Sequence, residues 1–247
     1  MANKILVLAY SGGLDTSYCL KKLSQEGFDI HAVSVNTGGF SSEEVKTMEA
    51  KALKMGAFSY KSIDALKSFY SKVVKYLVFG NVLKNGTYPL SVSAERIVQA
   101  LEIIAYAKEI KADAIAHGST GAGNDQVRFD LIFQVLAPGI EIITPIRDQH
   151  LSREAEIEYL KEQGVEMAWE KAQYSINQGL WGTSVGGKET LTSDKSLPES
   201  AYPSQVQKNT PEKVTLNFEK GELVGLNGKK DTAVNNIMAL QELAKQF

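Results

Sequence analysis

Cysteine is all but missing from these 247 residues: Cys19 stands alone, so no disulfide can close within the chain and no cysteine cluster can hold a metal. A basic excess is missing too. Twenty-seven Lys and Arg stand against 29 Asp and Glu, a formal charge of -2, whereas a protein built to grip a phosphate backbone carries a surplus of cations. Nucleic acid is therefore not the expected partner. No long apolar run is present: Ile5–Ala9 is too short to span a bilayer and has no signal-peptide cleavage pattern behind it, so a cytoplasmic protein with no membrane partner is expected. His31, His117 and His150 lack metal-ligand spacing, and no Ser-His-Asp or Cys-His pattern suggests a side-chain nucleophile. The 43% hydrophobic and 23% charged residues suit an ordinary globular chain.

What is present is an alternation of short apolar runs with amphipathic stretches. Residues 4–9 read as a strand buried on both faces, followed by a glycine-bearing turn and a helix from Thr16 to about Glu26. Ile30–Val35 reads as the next strand. Ser41 and Glu44 have capping-box spacing for a helix that places Val45, Met48, Ala52 and Leu53 on one face. Ala57–Ser62, Ala114–Ala116 and Glu141–Thr144 read as further strands. A long helix from Ser93 to Ile110, with Ile97, Leu101, Ile104 and Ala105 facing a core, and one capped by Ser152 fill the intervals. Strands alternating with helices imply parallel βαβ units, hence an α/β fold with a doubly wound parallel sheet. The pattern changes near residue 165, where glycines and prolines accumulate. Val214–Phe218 and Leu223–Leu226 alternate like a hairpin, Asn227-Gly228 supplies a turn, and a helix starts near Thr232. Two domains are expected: 1–166, and an incomplete α+β portion at 167–247.

Two loops carry the chemistry. Ser11-Gly12-Gly13-Leu14-Asp15-Thr16-Ser17 lies between the first strand and its helix. In an open parallel sheet ligands bind beyond the carboxyl ends of the strands. Glycines there let the backbone come close to a ligand, and the free N–H groups of a helix start favour an anion. The loop lacks the lysine of a Walker sequence, and its adjacent glycines do not fit the dinucleotide fingerprint. The string S-G-G-x-D-[ST]-S resembles instead the pyrophosphate loop of ATP pyrophosphatases, enzymes that bind ATP, release pyrophosphate and leave AMP on an acceptor oxygen. The second loop, His117-Gly118-Ser119-Thr120-Gly121-Ala122-Gly123-Asn124-Asp125-Gln126-Val127-Arg128-Phe129, crowds hydroxyls, an amide, a carboxylate and a guanidinium after another buried strand. Asp125 can face an ammonium and Arg128 can clamp a carboxylate; equally, Asp125 can cap a helix and Arg128 pair on its surface.

Taken together, A-Y-S-G-G-L-D-T-S at 9–17 and H-G-S-T-G-x-G-N-D-Q-V-R-F at 117–129 closely resemble the argininosuccinate synthase family. The similarity continues through Tyr88–Arg96, Tyr174-Ser175-Ile176 and Leu180–Ser184. The resemblance implies a nucleotide-hydrolase-like α/β domain and a carbon–nitrogen ligase that condenses citrulline with aspartate, turning ATP into AMP and pyrophosphate. It implies ATP contacts at Ala9, Tyr10, Ser11, Gly12, Gly13, Leu14, Asp15, Thr16 and Ser17, with Val35 and Gly118 also touching the nucleotide. It assigns Thr120, Asn124 and Asp125 to aspartate, and Tyr88, Ser93, Asn124, Arg128, Ser175 and Ser184 to citrulline. Magnesium is expected on the phosphates, with no dedicated metal ligands in the chain. Asp15 and Asp125 are the carboxylates expected at the phosphate end and at the aspartate amine.

Chains of that family run further, into a region with more citrulline contacts and an oligomerising C-terminal helix, so a homo-oligomer is expected of a full-length chain. Rival readings are a tRNA-thiolating or GMP synthetase-like pyrophosphatase-loop enzyme, and a nucleotide-binding fragment without turnover. One cysteine and the -2 charge argue against tRNA thiolation.

Overall fold

The computed structural model describes residues 3–121, 123–167, 169 and 174–247, with Lys188 described by its backbone alone. Ala122 of the second loop, and residues 168 and 170–173 at the expected domain boundary, lie outside the described residues. In chain order the elements begin with β1 (Ile5–Ala9), α1 (Leu14–Gln25), β2 (Asp29–Asn36), α2 (Ser42–Lys54) and β3 (Ser59–Asp64). Then come α3 (Leu66–Phe69), a π-turn at Tyr70–Val74, α4 (Lys75–Phe79), α5 (Ser91–Glu109), β4 (Ala114–Ala116), α6 (Asp125–Leu136) and β5 (Glu141–Ile143). The rest comprises α7 (Pro145–Asp148), α8 (Arg153–Glu162), β6 (Ser175–Gly179), β7 (Gly182–Gly186), β8 (Leu216–Glu219), β9 (Glu222–Leu226), β10 (Lys229–Lys230) and α9 (Ala233–Ala244). Among the described residues no helix is long and apolar enough to cross a membrane.

The residues form two compact units: Met1–Ala65 with Arg96–Ala172, and Leu66–Glu95 with Gln173–Phe247. The first holds a five-stranded sheet in the order β3-β2-β1-β4-β5, every pairing parallel, as a doubly wound fold requires. Alternation along the strands divides the core. Leu6 and Leu8, Ile30 and Ala32, and Ala114 and Ala116 point to one face, where they pack with Leu14, Leu20 and Leu23 of α1, Met48 and Ala52 of α2, and Leu160 of α8. On the other face the ring of His31 meets Tyr106 of α5, and that of His117 stacks on Phe129 of α6. Burial on both faces accounts for the unbroken apolar runs of β1 and β4.

The capping box of α2 is formed in full: Ser41 Oγ accepts from Glu44 N, and the Glu44 carboxylate accepts from Ser41 N. Three expected core positions face outward: Leu53, Ile97 and Ala105 are exposed, while Val98, Ile103, Ile104 and Ala107 are buried. The apolar residues of α5 reach so far round the helix that spacing alone does not select its inner face.

In the second unit, β8 and β9 form the expected hairpin, but the turn between them is Lys220-Gly221, with both residues at positive φ. Asn227-Gly228 serves the next turn, into β10. The β6–β7 hairpin falls in a stretch that reads from sequence as turns. Gly182 leaves room for it against Ser91, where a Cβ would lie 3.4 Å from the serine Cβ, and Trp181 Nε1 donates to Pro89 O at 2.9 Å.

Candidate functional site

In the first unit β1 lies between β2 and β4, so the chain's direction of winding reverses between β1 and β4. Both chemistry-bearing loops leave the carboxyl ends of these two strands, at the switch point where open α/β sheets take their ligands. Tyr10 N donates to Val33 O, and Ser34 Oγ to Tyr10 O at 2.6 Å, fixing the base of the first loop. Gly12 then turns at φ +73, a region open to glycine and strained for most residues. Gly13 is the N-cap of α1 with no side chain to serve as cap.

The first loop leaves its donors open. Ser11 N reaches Thr16 Oγ1, and Gly13 N reaches Ser11 Oγ, both only at 3.4 Å. Ser17 N closes the first helical bond onto Gly13 O at 3.0 Å. The N–H groups of Gly12, Leu14, Asp15 and Thr16 have no partner among the described residues. A helix start with free N–H groups is an anion site in waiting. Ser17 is fully buried and its Oγ has no hydrogen-bond partner. Burial pushes the neighbouring Tyr10 phenol far up, against a smaller lowering by Ser17 and a further rise from Tyr60. Val35 is buried near the end of β2, the strand beside β1.

The second loop packs against the first. A Cβ on Gly118 would lie 3.0 Å from Asp15 Cβ, 3.1 Å from Asp15 C and 3.2 Å from Thr16 N, so a side chain here would press the two loops apart by a few tenths of an ångström. Ser119 N donates to His117 Nδ1 at 3.2 Å, which leaves the proton of the neutral ring on Nε2, 2.8 Å from Asp130 Oδ1. Hydrogen bonding to His117 holds the Asp130 carboxyl below its usual range, and Arg147 adds to this against some desolvation. Arg147 also reaches Gln126 Oε1, and Gln126 Nε2 donates to Gly121 O at 2.7 Å and Gly123 O at 3.2 Å. Asp130 and Arg147, which spacing did not single out, thus hold His117 and Gln126 of this loop.

Asp125 opens α6 and is held by two guanidinium groups: Arg96 Nε at 3.0 Å on Oδ2 and Arg128 Nη1 at 2.5 Å on Oδ1. Arg128, expected to clamp a ligand carboxylate, pairs here with Asp125. Thr120 and Asn124 are exposed, and their side chains form no hydrogen bond among the described residues. Asp15 has a buried Oδ1 without a hydrogen-bond partner, with Arg153 Nη1 4.0 Å away. Beside it Glu156 of α8 is only 1% exposed, and its Oε2 is likewise unpartnered. Burial above all, then the neighbouring Asp15 carboxylate, pushes the Glu156 carboxyl up to about 8.

The remaining expected contacts lie in the second unit. Tyr88 OH is 3.3 Å from Ser93 Oγ and accepts from Ser93 N at 3.4 Å. Burial raises the Tyr88 phenol, but hydrogen bonds from Ser93 and Ser91 outweigh it and leave it below its usual value. Ser184 lies opposite Asn177 in the β6–β7 ladder, and Ser175 is two residues from Asn177, so both serines share one face of the hairpin.

Comparison with known proteins gives this arrangement its context. Residues 5–166 match the family model described as "Arginosuccinate synthase N-terminal HUP domain". An argininosuccinate synthase of Methanocaldococcus jannaschii is 40% identical over 98% of this chain and 62% of its own length. That of Sulfurisphaera tokodaii is 38% identical over 98% of this chain and 62% of its own, and that of Lactococcus lactis subsp. cremoris 38% identical over 100% and 61%. The chain therefore spans about three-fifths of the length of these relatives. The family match over 5–166, together with these relatives across nearly every residue, shows that the chain belongs to the argininosuccinate synthase family.

Proposed function

We propose that the chain binds ATP on the loop after β1 and uses it, in the full-length protein, to join citrulline to aspartate. The observation that carries this reading is the set of unengaged N–H groups at residues 12 and 14–16, set at the switch point of the sheet with Gly118 packed against their backbone. Such a cradle fits a polyphosphate. Ala9–Ser17, Val35 and Gly118 would line the nucleotide, with Asp15 organising its phosphate end. Among the described residues no group of three or more His, Cys, Asp or Glu side chains is placed to hold a metal. Magnesium is proposed to ride on the phosphate oxygens as part of the nucleotide substrate. Along the sequence we assign residues 1–166 to the nucleotide-binding domain and 167–247 to the opening part of the substrate domain, with residues 66–95 of the first span packing in the same compact unit as the later part of the chain.

The chemistry asks for positioning more than for a reactive side chain. A ureido carbon is a poor electrophile until its oxygen becomes a leaving group. Attack of that oxygen on the α-phosphorus gives a citrullyl-adenylate and frees pyrophosphate, and the amine of aspartate then displaces AMP. Oriented donors and charge stabilisation supply the rate. Thr120, Asn124 and Asp125 are proposed to bind aspartate; Tyr88, Ser93, Asn124, Arg128, Ser175 and Ser184 are proposed to bind citrulline. The Asp125–Arg128 pair would then open as ligand arrives, the carboxylate turning to the incoming ammonium and the guanidinium to a ligand carboxylate.

Pyrophosphate release with ATP, magnesium, citrulline and aspartate, each amino acid omitted in turn, tests the proposal. Release that needs citrulline supports the ligase, and Asp125→Ala is expected to lose the aspartate-dependent step. Unchanged turnover would remove Asp125 from the mechanism. A second reading is nucleotide binding without turnover; ATP binding with no release in any combination would establish it.

A further inference from the structure

The first loop contains no basic residue between Ala9 and Leu20, although a polyphosphate brings several negative charges to it. A cation reaches the loop from elsewhere in the chain: Lys51, in α2. Its Nζ crosses to Gly12 and donates to the Gly12 carbonyl at 2.7 Å. One turn earlier on the same helix, Met48 Cγ stands 3.0 Å from where a Gly12 Cβ would be, so α2 forms the wall behind the loop.

Two consequences follow from that single bond. In a trans peptide the C=O and the next N–H point in opposite directions. Drawing Gly12 O toward α2 therefore turns the Gly13 N–H away from α2, and in the absence of an anion this donor finds only Ser11 Oγ at 3.4 Å. The second consequence concerns charge. An ammonium has three donors, and here one carbonyl accepts; among the described residues no carboxylate lies within ion-pair distance of Lys51. Burial holds the Lys51 amine below its usual value. Arg153, a cation on α8, already faces Asp15. A half-buried ammonium without a counter-charge is poorly placed in the free protein and well placed once an anion arrives.

We propose that Lys51 is a positioning residue of the phosphate site: it fixes the Gly12–Gly13 peptide with its N–H toward the ligand and supplies, from behind the loop, positive charge that the loop lacks. This inference rests on the reading of the loop as an ATP phosphate site.

The test compares the whole chain with Lys51→Met, Lys51→Gln and Lys51→Arg, measuring binding of ATP, adenosine and inorganic pyrophosphate by calorimetry, with circular dichroism to follow folding. Lys51→Met is expected to weaken ATP and pyrophosphate by about tenfold or more, the order of one charged hydrogen bond, and to leave adenosine unchanged. Lys51→Gln keeps a donor for Gly12 and should fall between; Lys51→Arg should restore most of the affinity. Wild-type affinity for ATP in both Met and Gln variants, or equal weakening of ATP and adenosine without rescue by Arg, overturns the proposal. Lys51-dependent binding of pyrophosphate by a wild-type chain that does not bind ATP would overturn the ATP reading and support Lys51. Binding of neither overturns both.

Discussion

The pairing of Glu156 with Asp15 has a consequence for stability that can be measured without any substrate. The Glu156 carboxyl is raised from 4.5 to about 8, chiefly by burial, so the native protein keeps a proton that the unfolded chain gives up across that window. Stability should therefore fall as pH rises from about 4.5 to about 8 on account of this group, and stay lowered above it. Tyr18 and Cys19 of α1 and Glu154 and Arg153 of α8 share its surroundings, but Glu156→Gln isolates the effect: the amide keeps a donor for Asp15 and cannot ionise. We expect Glu156→Gln to raise the melting temperature more at about pH 9 than at about pH 5. An equal change at both would show that the Glu156 carboxyl is not raised in the native state. None of this was legible in the sequence, where Glu156 is one acidic residue among several in the helix that Ser152 caps. The proposed phosphate loop was legible because its open donors lie on consecutive backbone groups. Lys51 was not, because its partner is 39 positions away.

Among the elements, those with a cap or an unbroken apolar run match their sequence readings. The capping box of α2 follows from Ser41 and Glu44, and the caps of α8 and α9 from Ser152 and Thr232, whose hydroxyls accept from Ala155 N and Asn235 N. Ser41→Ala should cost about 1 kcal/mol and lower the melting temperature by about 3 °C, measured by thermal denaturation. Because Lys51 leaves α2 from its far end, ATP affinity should change little in the same variant. Elements without such signals were misread or missed. Ser175–Gly179 and Gly182–Gly186 contain glycine and small polar residues in place of alternating apolar ones, and only their cross-strand pairing and the Trp181–Pro89 bond make them a hairpin. The inner face of α5 was misjudged for the opposite reason, since apolar residues are too plentiful there to choose between Ile97 and Val98.

For the whole molecule, ligand linkage gives the most direct check on the nucleotide site. If the proposed site binds ATP, the nucleotide at a hundred times its dissociation constant should stabilise the native chain by about 2.7 kcal/mol, seen as a rise of roughly 5–10 °C in the melting transition. Gly118→Ala should abolish that rise, because its Cβ would press on the backbone of Asp15 and Thr16 where the phosphates are proposed to sit. A normal rise in this variant would mean that the loops can part without harm to binding. The division into units could not be drawn from composition, which changes once near residue 165, while residues 66–95 pack with the later part of the chain. Tyr70 OH donates to Glu222, Phe79 packs over Gly221, and Pro89 accepts from Trp181. No single cut therefore separates the two bodies cleanly. A fragment ended at 166 would keep the excursion through 66–95 and lose the strands that shelter it, leaving Tyr70, Phe79 and their neighbours as a sticky flap on an otherwise finished sheet. Excising that flap and bridging β3 to α5 with a short linker is the route to an isolated nucleotide-binding body.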